Sequence, residues 1–406
     1  MHTDERTAAA LLAETDGPID AERARRLASG LFVGGYEGTA LPSSMAERLA
    51  HGLAGVILFR RNLPRSAAGG MDLASLVAQT GGAYDAADGD PRQPGPPLVC
   101  VDQEGGRVVR LTAPFTTIPT MRDVAAAGDL SWTRRVGAQL GRECLAAGFN
   151  VDFAPILDVD SNPANPIIGD RAFGPDTRTV IDHGRALLEG LESAGVRGCG
   201  KHYPGHGDTD LDSHLALPTV HAPRERLDAV ELAPFRALGP TLSMVMTAHV
   251  VFPAYDPAVP ATLSATLLGE VLRKGCGFDG VVVSDDLEMQ AVAALFDIEE
   301  LTVRGLRAGV DLFLVCRDES KLDRAIDAVA TSIARPGRDR ARAVDALTRV
   351  ERLRAGLVRP RPSEAGIASV LADVDDAVLR GYAPVGTLRS AAGAPGRDPT
   401  EDQNNV

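Results

Sequence analysis

Short apolar runs punctuate the chain almost from end to end, and stretches with apolar residues three or four apart lie between them. The runs are 30–34 (GLFVG), 55–59 (GVILF), 97–101 (PLVCV), 150–157 (NVDFAPIL), 196–200 (VRGCG), 243–248 (SMVMTA), 280–284 (GVVVS) and 310–315 (VDLFLV). Each is too short for a helix and rich in β-branched residues, the pattern of a strand buried on both faces. The intervening segments have helical spacing. Over 131–147, Val136, Leu140 and Cys144 fall four apart, with Ser131 as N-cap and Gly148 just past the end. Over 179–194, Val180, Leu187, Leu188 and Leu191 form one stripe that Gly195 closes. Eight strands alternating with helices predict an α/β fold, a TIM-like (β/α)8 barrel forming a single domain over 20–358. An open doubly wound sheet is the alternative. The count of eight, without a dinucleotide fingerprint, favours the barrel.

The ends of the chain read differently. Residues 1–19 form an N-terminal extension, and 87–97 a loop. Beyond 316, residues 319–332 and 340–357 read as Arg-rich helices packed outside the barrel. Arg359-Pro360-Arg361-Pro362 interrupts the pattern. Within a segment 359–386, residues 364–379 place Ile367, Val370, Leu371, Val374 and Val378 on one face, so a docking helix is expected there. Residues 387–406 have the composition of a disordered tail.

Composition narrows the function classes. The 406 residues are 44% apolar and 24% charged, the balance of a globular enzyme with a large core. A net charge of −13 argues against binding nucleic acid or anionic membranes, both of which select clustered positive charge. The five cysteines, Cys100, Cys144, Cys199, Cys276 and Cys316, are spread through apolar runs without a C-x-x-C pair, and read as buried reduced thiols. The start, MHTDERTAAALLAETDG, is acidic and carries no signal-peptide pattern, and no run of 18 apolar residues occurs. A cytoplasmic protein is expected.

In an α/β barrel the residues just after each strand build the active site. Here they are Asp102, Asp158, Lys201, His202, His249 and the pair Asp285-Asp286. A single Asp after a strand is commonly a helix cap, but so many polar residues on one predicted rim are not explained that way. Segment 201–214 is densest, with three His, three Asp and a Lys in a chain where only 3 of the 42 basic residues are lysine. His202 and His206 are four apart, yet Pro204, Gly205 and Gly207 forbid the helix that would align them on a metal. No metal and no cofactor are expected. A flexible loop carrying an acid/base group is the better reading. Asp212 beside His214 supplies a carboxylate that can orient an imidazole, although a turn whose Asp and His satisfy backbone groups would look the same. A carboxylate nucleophile falls in VSDDLEM (283–289), where spacing does not separate Asp285 from Asp286. Strand alternation lets only one of them face the barrel mouth. Neither a P-loop nor a dinucleotide-binding glycine motif is present.

Five ordered blocks carry a resemblance: VDQEGGRVVRL (101–111), FNVDFAPILDVDSNPANPIIGDRAFG (149–174), GKHYPGHGDTDLDSHLALP (200–218), MVMTAHVVFP (244–253) and GVVVSDDLEM (280–289). Together they resemble glycoside hydrolase family 3, specifically its NagZ-type β-N-acetylhexosaminidases. The resemblance implies a retaining exo-β-N-acetylglucosaminidase, with Asp285 as nucleophile and His214, paired with Asp212, as acid/base. It implies that Asp102, Arg110, Arg171, Lys201 and His202 hold the terminal sugar. Its implied substrate is GlcNAc linked β-1,4 to anhydro-N-acetylmuramic acid, with or without peptide, in cell-wall recycling. The sequence leaves the oligomeric state open, with a monomer favoured. Phosphorolysis and β-glucosidase activity are the enzyme alternatives, and a non-catalytic sugar-binding barrel is the alternative of another class. Two departures stand out: Tyr203 replaces a common Phe, and too little chain follows residue 360 for the second α/β domain of many family members.

Overall fold

A computed structural model of the chain describes residues 7–13, 15–66, 69–88, 94–209, 217–374 and 378. The tail 387–406 therefore lies outside the described residues. The eight apolar runs all form strands: β1 (Phe32–Gly34), β2 (Gly55–Ile57), β3 (Leu98–Val101), β4 (Val151–Asp152), β5 (Arg197–Tyr203), β6 (Met244–Thr247), β7 (Val281–Asp286) and β8 (Leu312–Val315). They pair in chain order, all parallel, and β1 closes on β8. The expected barrel is the fold.

Alternate residues of each strand enter different cores, as the twofold period of a strand requires. Leu98 and Cys100, Met244 and Met246, Val281 and Val283, and Leu312 and Leu314 pack inside the barrel. Val99 and Val101, Val245, Val282, and Phe313 and Val315 pack outward under the helices. Both faces are buried, which is why the strands read as continuous apolar runs rather than alternating ones.

The helices depart from the sequence expectation in three places. Leu130–Ala146 is capped by Asp129, not Ser131: the Asp129 side chain accepts from the Ser131 and Trp132 amides. A carboxylate two positions earlier reaches two of the free amides of the first turn, and the Ser131 hydroxyl itself donates to it. Arg338–Ala355 does not merely pack outside. Its Val350 and Leu353 join the interior cluster, so this helix plugs the N-terminal end of the barrel. Finally, the docking helix spans only Glu364–Ala372, against the helices Leu73–Ala87 and Leu130–Ala146, with Ile367 buried. The acidic run that begins at Asp373 opposes the negative end of the helix dipole, a reason to stop there.

Candidate active site

The C-terminal rim of the barrel opens into a cavity. Ile57, Phe59, Phe153, Met246, Met289 and Leu314 give it apolar walls, and Asp102, Arg171, Lys201, His202, His206, Asp285, Asp286 and Glu288 give it polar groups. Apolar walls with a few convergent polar groups are the usual make-up of a small-molecule site.

Its floor is one ionic network. Lys201, on β5, donates to Asp102 Oδ1 at 2.7 Å and lies 2.7 Å from Glu104 Oε1. Arg171 meets Glu104 side-on through Nε and Nη2, each at 2.9 Å. Burial alone would raise the Glu104 carboxyl, but the charges of Arg171 and Lys201 outweigh it and hold it well below the usual range. Those carboxylates likewise keep the buried Lys201 ammonium charged, its affinity for the proton raised despite desolvation. Arg110 lies behind the floor. It is wholly buried, 3.5 Å from Asp102 Oδ2 and over the Phe59 ring, and it does not line the cavity. The loop carrying Asp102 and Glu104 is pinned by Gln103, whose amide donates to Asp152 and whose Oε1 accepts from the Arg110 and Leu111 amides.

His202 lines one wall, with the Asp158 carboxylate buried behind it. Asp158 Oδ2 lies 2.7 Å from His202 Nδ1, and Asp158 Oδ1 accepts from the amides of His202 and His206. Burial pushes the Asp158 carboxyl up, but the His202 ring and these donors bring it below its ordinary value. His206 is pushed down to about 4, by burial first and by neighbouring His202 second. Its Nδ1 meets Thr209 Oγ1 at 2.9 Å. The flanking glycines serve close approach rather than flexibility: a Cβ on Gly207 would sit 1.7 Å from the Val159 carbonyl oxygen. Tyr203 is accommodated because its extra hydroxyl donates to the Leu267 carbonyl at 2.9 Å. Among the described residues, no three His, Cys, Asp or Glu side chains converge as a metal-binding set.

The opposite wall is the end of β7. Alternation predicted that only one of Asp285 and Asp286 would face the mouth, but both line the cavity. The pairing with β8 slips between Val283–Leu312 and Asp286–Leu314, so three residues of β7 advance against two of β8 and the alternation breaks. The two carboxyls differ in setting. Asp286 is buried and accepts from the amides of Glu288 (3.0 Å) and Cys316 (3.3 Å). Burial, with the Glu288 charge behind it, raises Asp286 to about 7. Asp285 is partly exposed to the cavity, and its Oδ1 accepts from the Asp286 amide at 2.8 Å. Glu288 is tied down by the Arg317 and Asp318 amides and by Lys321.

Six of the eight residues singled out from the sequence are thus described. Asp102, Arg171, Lys201, His202 and Asp285 meet in one cavity, and Arg110 backs it. Asp212 and His214 lie outside the described residues. The sequence reading overlooked Glu104 and Glu288, weighed His206 only as a metal ligand, and gave Asp158 a place on the rim without a role. The available signal for Glu104 was its position two residues after Asp102, in the same glycine-bounded motif.

A family model described as the glycosyl hydrolase family 3 N-terminal domain matches residues 39–353. A β-hexosaminidase of Alkalilimnicola ehrlichii is 39% identical over 297 residues, covering 71% of this chain and 80% of that relative. One of Nitrosomonas eutropha is 37% identical over 297 residues, covering 71% and 81%. The solved structure of NagZ from Neisseria gonorrhoeae in complex with N-trifluoroacetyl-D-glucosamine superposes with a TM-score of 0.69 at 30% identity, covering 86% of this chain and 98% of that one. A family 3 β-N-acetylglucosaminidase from a Paenibacillus species gives 0.75 at 34% identity, covering 87% and 68%.

Proposed function

The chain belongs to glycoside hydrolase family 3 as a β-hexosaminidase of the NagZ type, and on that premise we propose that it removes terminal β-linked N-acetylglucosamine with retention of configuration. The observation that carries the reading is the setting of Asp285: a partly exposed carboxylate on a rigid strand end, in one cavity with the Asp102–Lys201 pair. Asp102 and Lys201, backed by Arg110 and Glu104, offer an acceptor and a donor to the sugar hydroxyls, and Arg171 and His202 complete the grip. Asp285 attacks the anomeric carbon while His214, oriented by Asp212, protonates the departing glycosidic oxygen. Neutral His214 then takes a proton from water, which attacks the glycosyl-aspartyl ester and releases the sugar. An imidazole with an ordinary pKa of ~6.5 suits both steps near neutral pH.

The natural substrate on this reading is GlcNAc linked β-1,4 to anhydro-N-acetylmuramic acid, with or without peptide. Its support is the resemblance to NagZ. A cytoplasmic site of action accords with five free, buried cysteines. No helix among the described residues is long and apolar enough to cross a membrane.

One observation favours a second assignment of the acid: Asp158–His202 is itself a carboxylate–imidazole pair at the cavity. Aryl β-GlcNAc substrates with graded leaving groups decide between them. If His214 is the acid, His214→Ala loses much more activity on poor leaving groups than on good ones, and His202→Ala loses a similar factor on all. The reverse pattern moves the role to His202. Asp285→Ala abolishes nearly all turnover, and wild-type-like activity in that variant overturns the nucleophile assignment.

A further inference from the structure

His249 follows β6 on the rim, and the reaction above gives it no task. It is 1% exposed. Its Nε2 lies 3.0 Å from the backbone carbonyl oxygen of Asp286. A carbonyl only accepts, so Nε2 carries a proton and donates it there. The other ring nitrogen, Nδ1, meets Thr262 Oγ1 at 2.8 Å. With the ring neutral, Nδ1 takes the single Thr262 hydroxyl proton, and Thr262 Oγ1 can accept in turn from Thr247 Oγ1 at 2.9 Å, with the Ala248 carbonyl as the competing acceptor at 3.2 Å. A short hairpin, Val251–Phe252 with Asp256–Pro260, leaves the rim after His249 and returns the chain so that Thr262 stands beside it.

This ring grips the point where β7 departs from regular geometry. The register slip removes the even ladder that would otherwise fix the strand end. The Asp286 carbonyl is held by His249, its carboxylate by the amides of Glu288 and Cys316, and its amide donates to Asp285 Oδ1. Moving residue 286 therefore turns the carboxylate of residue 285.

We propose that His249 is a positioning residue for the nucleophile: braced by Thr262, it clamps the Asp286 carbonyl and so aims Asp285 at the anomeric carbon. The inference rests on Asp285 being the nucleophile. With Nε2 donating to the backbone, the ring acts on the sugar through residue 286 and not as a proton donor.

The test uses the full-length enzyme and aryl β-GlcNAc substrates of graded leaving group. His249→Phe removes the donor. His249→Gln keeps an N–H near the Nε2 position. The phenyl variant is expected to lose about 100-fold in kcat, the scale of a misaimed reacting group. The loss is expected to be equal for good and poor leaving groups, with KM nearly unchanged, and the glutamine variant should recover most of it. Where the phenyl variant does not fold, Thr262→Val loosens the brace and gives a smaller loss of the same kind. Wild-type kcat in His249→Phe overturns the proposal. So does a loss that grows with leaving-group pKa, which makes His249 an acid, or a loss confined to KM, which makes it a binding group. Undiminished activity in Asp285→Ala is a separate failure, of the nucleophile assignment itself.

Discussion

Glu104 shows how a single residue can hold both the fold and the site. It is buried against two cations, so replacing it by neutral Gln leaves Arg171 and Lys201 without their shared counter-charge. Breaking a buried pair from one side costs about 3–5 kcal/mol. Glu104→Gln is therefore expected to lower stability in urea by about that much and to reduce kcat/KM, because Lys201 is left with Asp102 as the one remaining of these two carboxylate anchors. Two other buried groups oppose each other in pH. His206, whose pKa falls from 6.5 to about 4 on folding, stays neutral where the unfolded chain is protonated, so its share of stability is lost as pH falls from 6.5 toward 4. Asp286, raised from 3.8 to about 7, keeps a proton that the unfolded chain has released, so stability drains as pH rises from about 4 to 7. Asp286→Asn should gain on the wild type across that rise, and His206→Asn should lose the acid sensitivity below 6.5. Urea titrations at pH 4, 5.5 and 7 check both, and curves parallel to the wild type would contradict them.

Among the elements, the helix Arg338–Ala355 has a task its composition concealed. Its arginines reach the starts of several strands: Arg342 to the Asp311 carboxylate before β8, Arg352 to Asp279 before β7, and Arg354 to the carbonyls of Gly95 and Pro96 before β3. Asp311 is fully buried, pairs with Arg273 as well, and accepts from the Val282 amide. Asp311→Asn is expected to cost about 3 kcal/mol by removing the buried counter-charge shared by Arg273, Arg342 and Arg349. Its kcat/KM at 25 °C should stay within about twofold of the wild type, since in this architecture the bottom of the barrel serves stability and the top serves chemistry. A large fall in kcat/KM with little change in stability would refute that division. The docking helix teaches a related lesson. Its apolar stripe was legible, but the break after Ala372 was not: Asp373 is a turn, while Val378, at the far end of the stripe, is again helical and buried in the core.

At the scale of the whole molecule, the closed barrel gathers onto one rim side chains from residues 57 to 321. Substrate choice is the property that scale decides. The proposed exo-N-acetylglucosaminidase should cleave aryl β-GlcNAc far faster than aryl β-glucoside, and the reverse ranking would make it a glucosidase. In phosphate buffer it should release free GlcNAc. Accumulation of GlcNAc-1-phosphate, followed by NMR, would instead show that phosphate replaces water as acceptor, which a neutral imidazole base does not repel. Binding of GlcNAc without turnover of either aryl sugar would leave a sugar-binding barrel.

The strand count, the barrel and the residues at its rim were legible in periodicity, because a strand buried on both faces reads as an apolar run and the polar residues that close the run, such as Lys201-His202 on β5 and Asp285-Asp286 on β7, fall at its C-terminal end. That information is local and survives in one dimension. Partnerships are not local. Glu104 meets Arg171 and Lys201, Asp158 meets His202, and His249 meets the Asp286 carbonyl only because the closed sheet brings separate strand ends together. The turning of both Asp285 and Asp286 into the cavity depends on a slip between β7 and β8, and no spacing within either strand encodes the register of its neighbour.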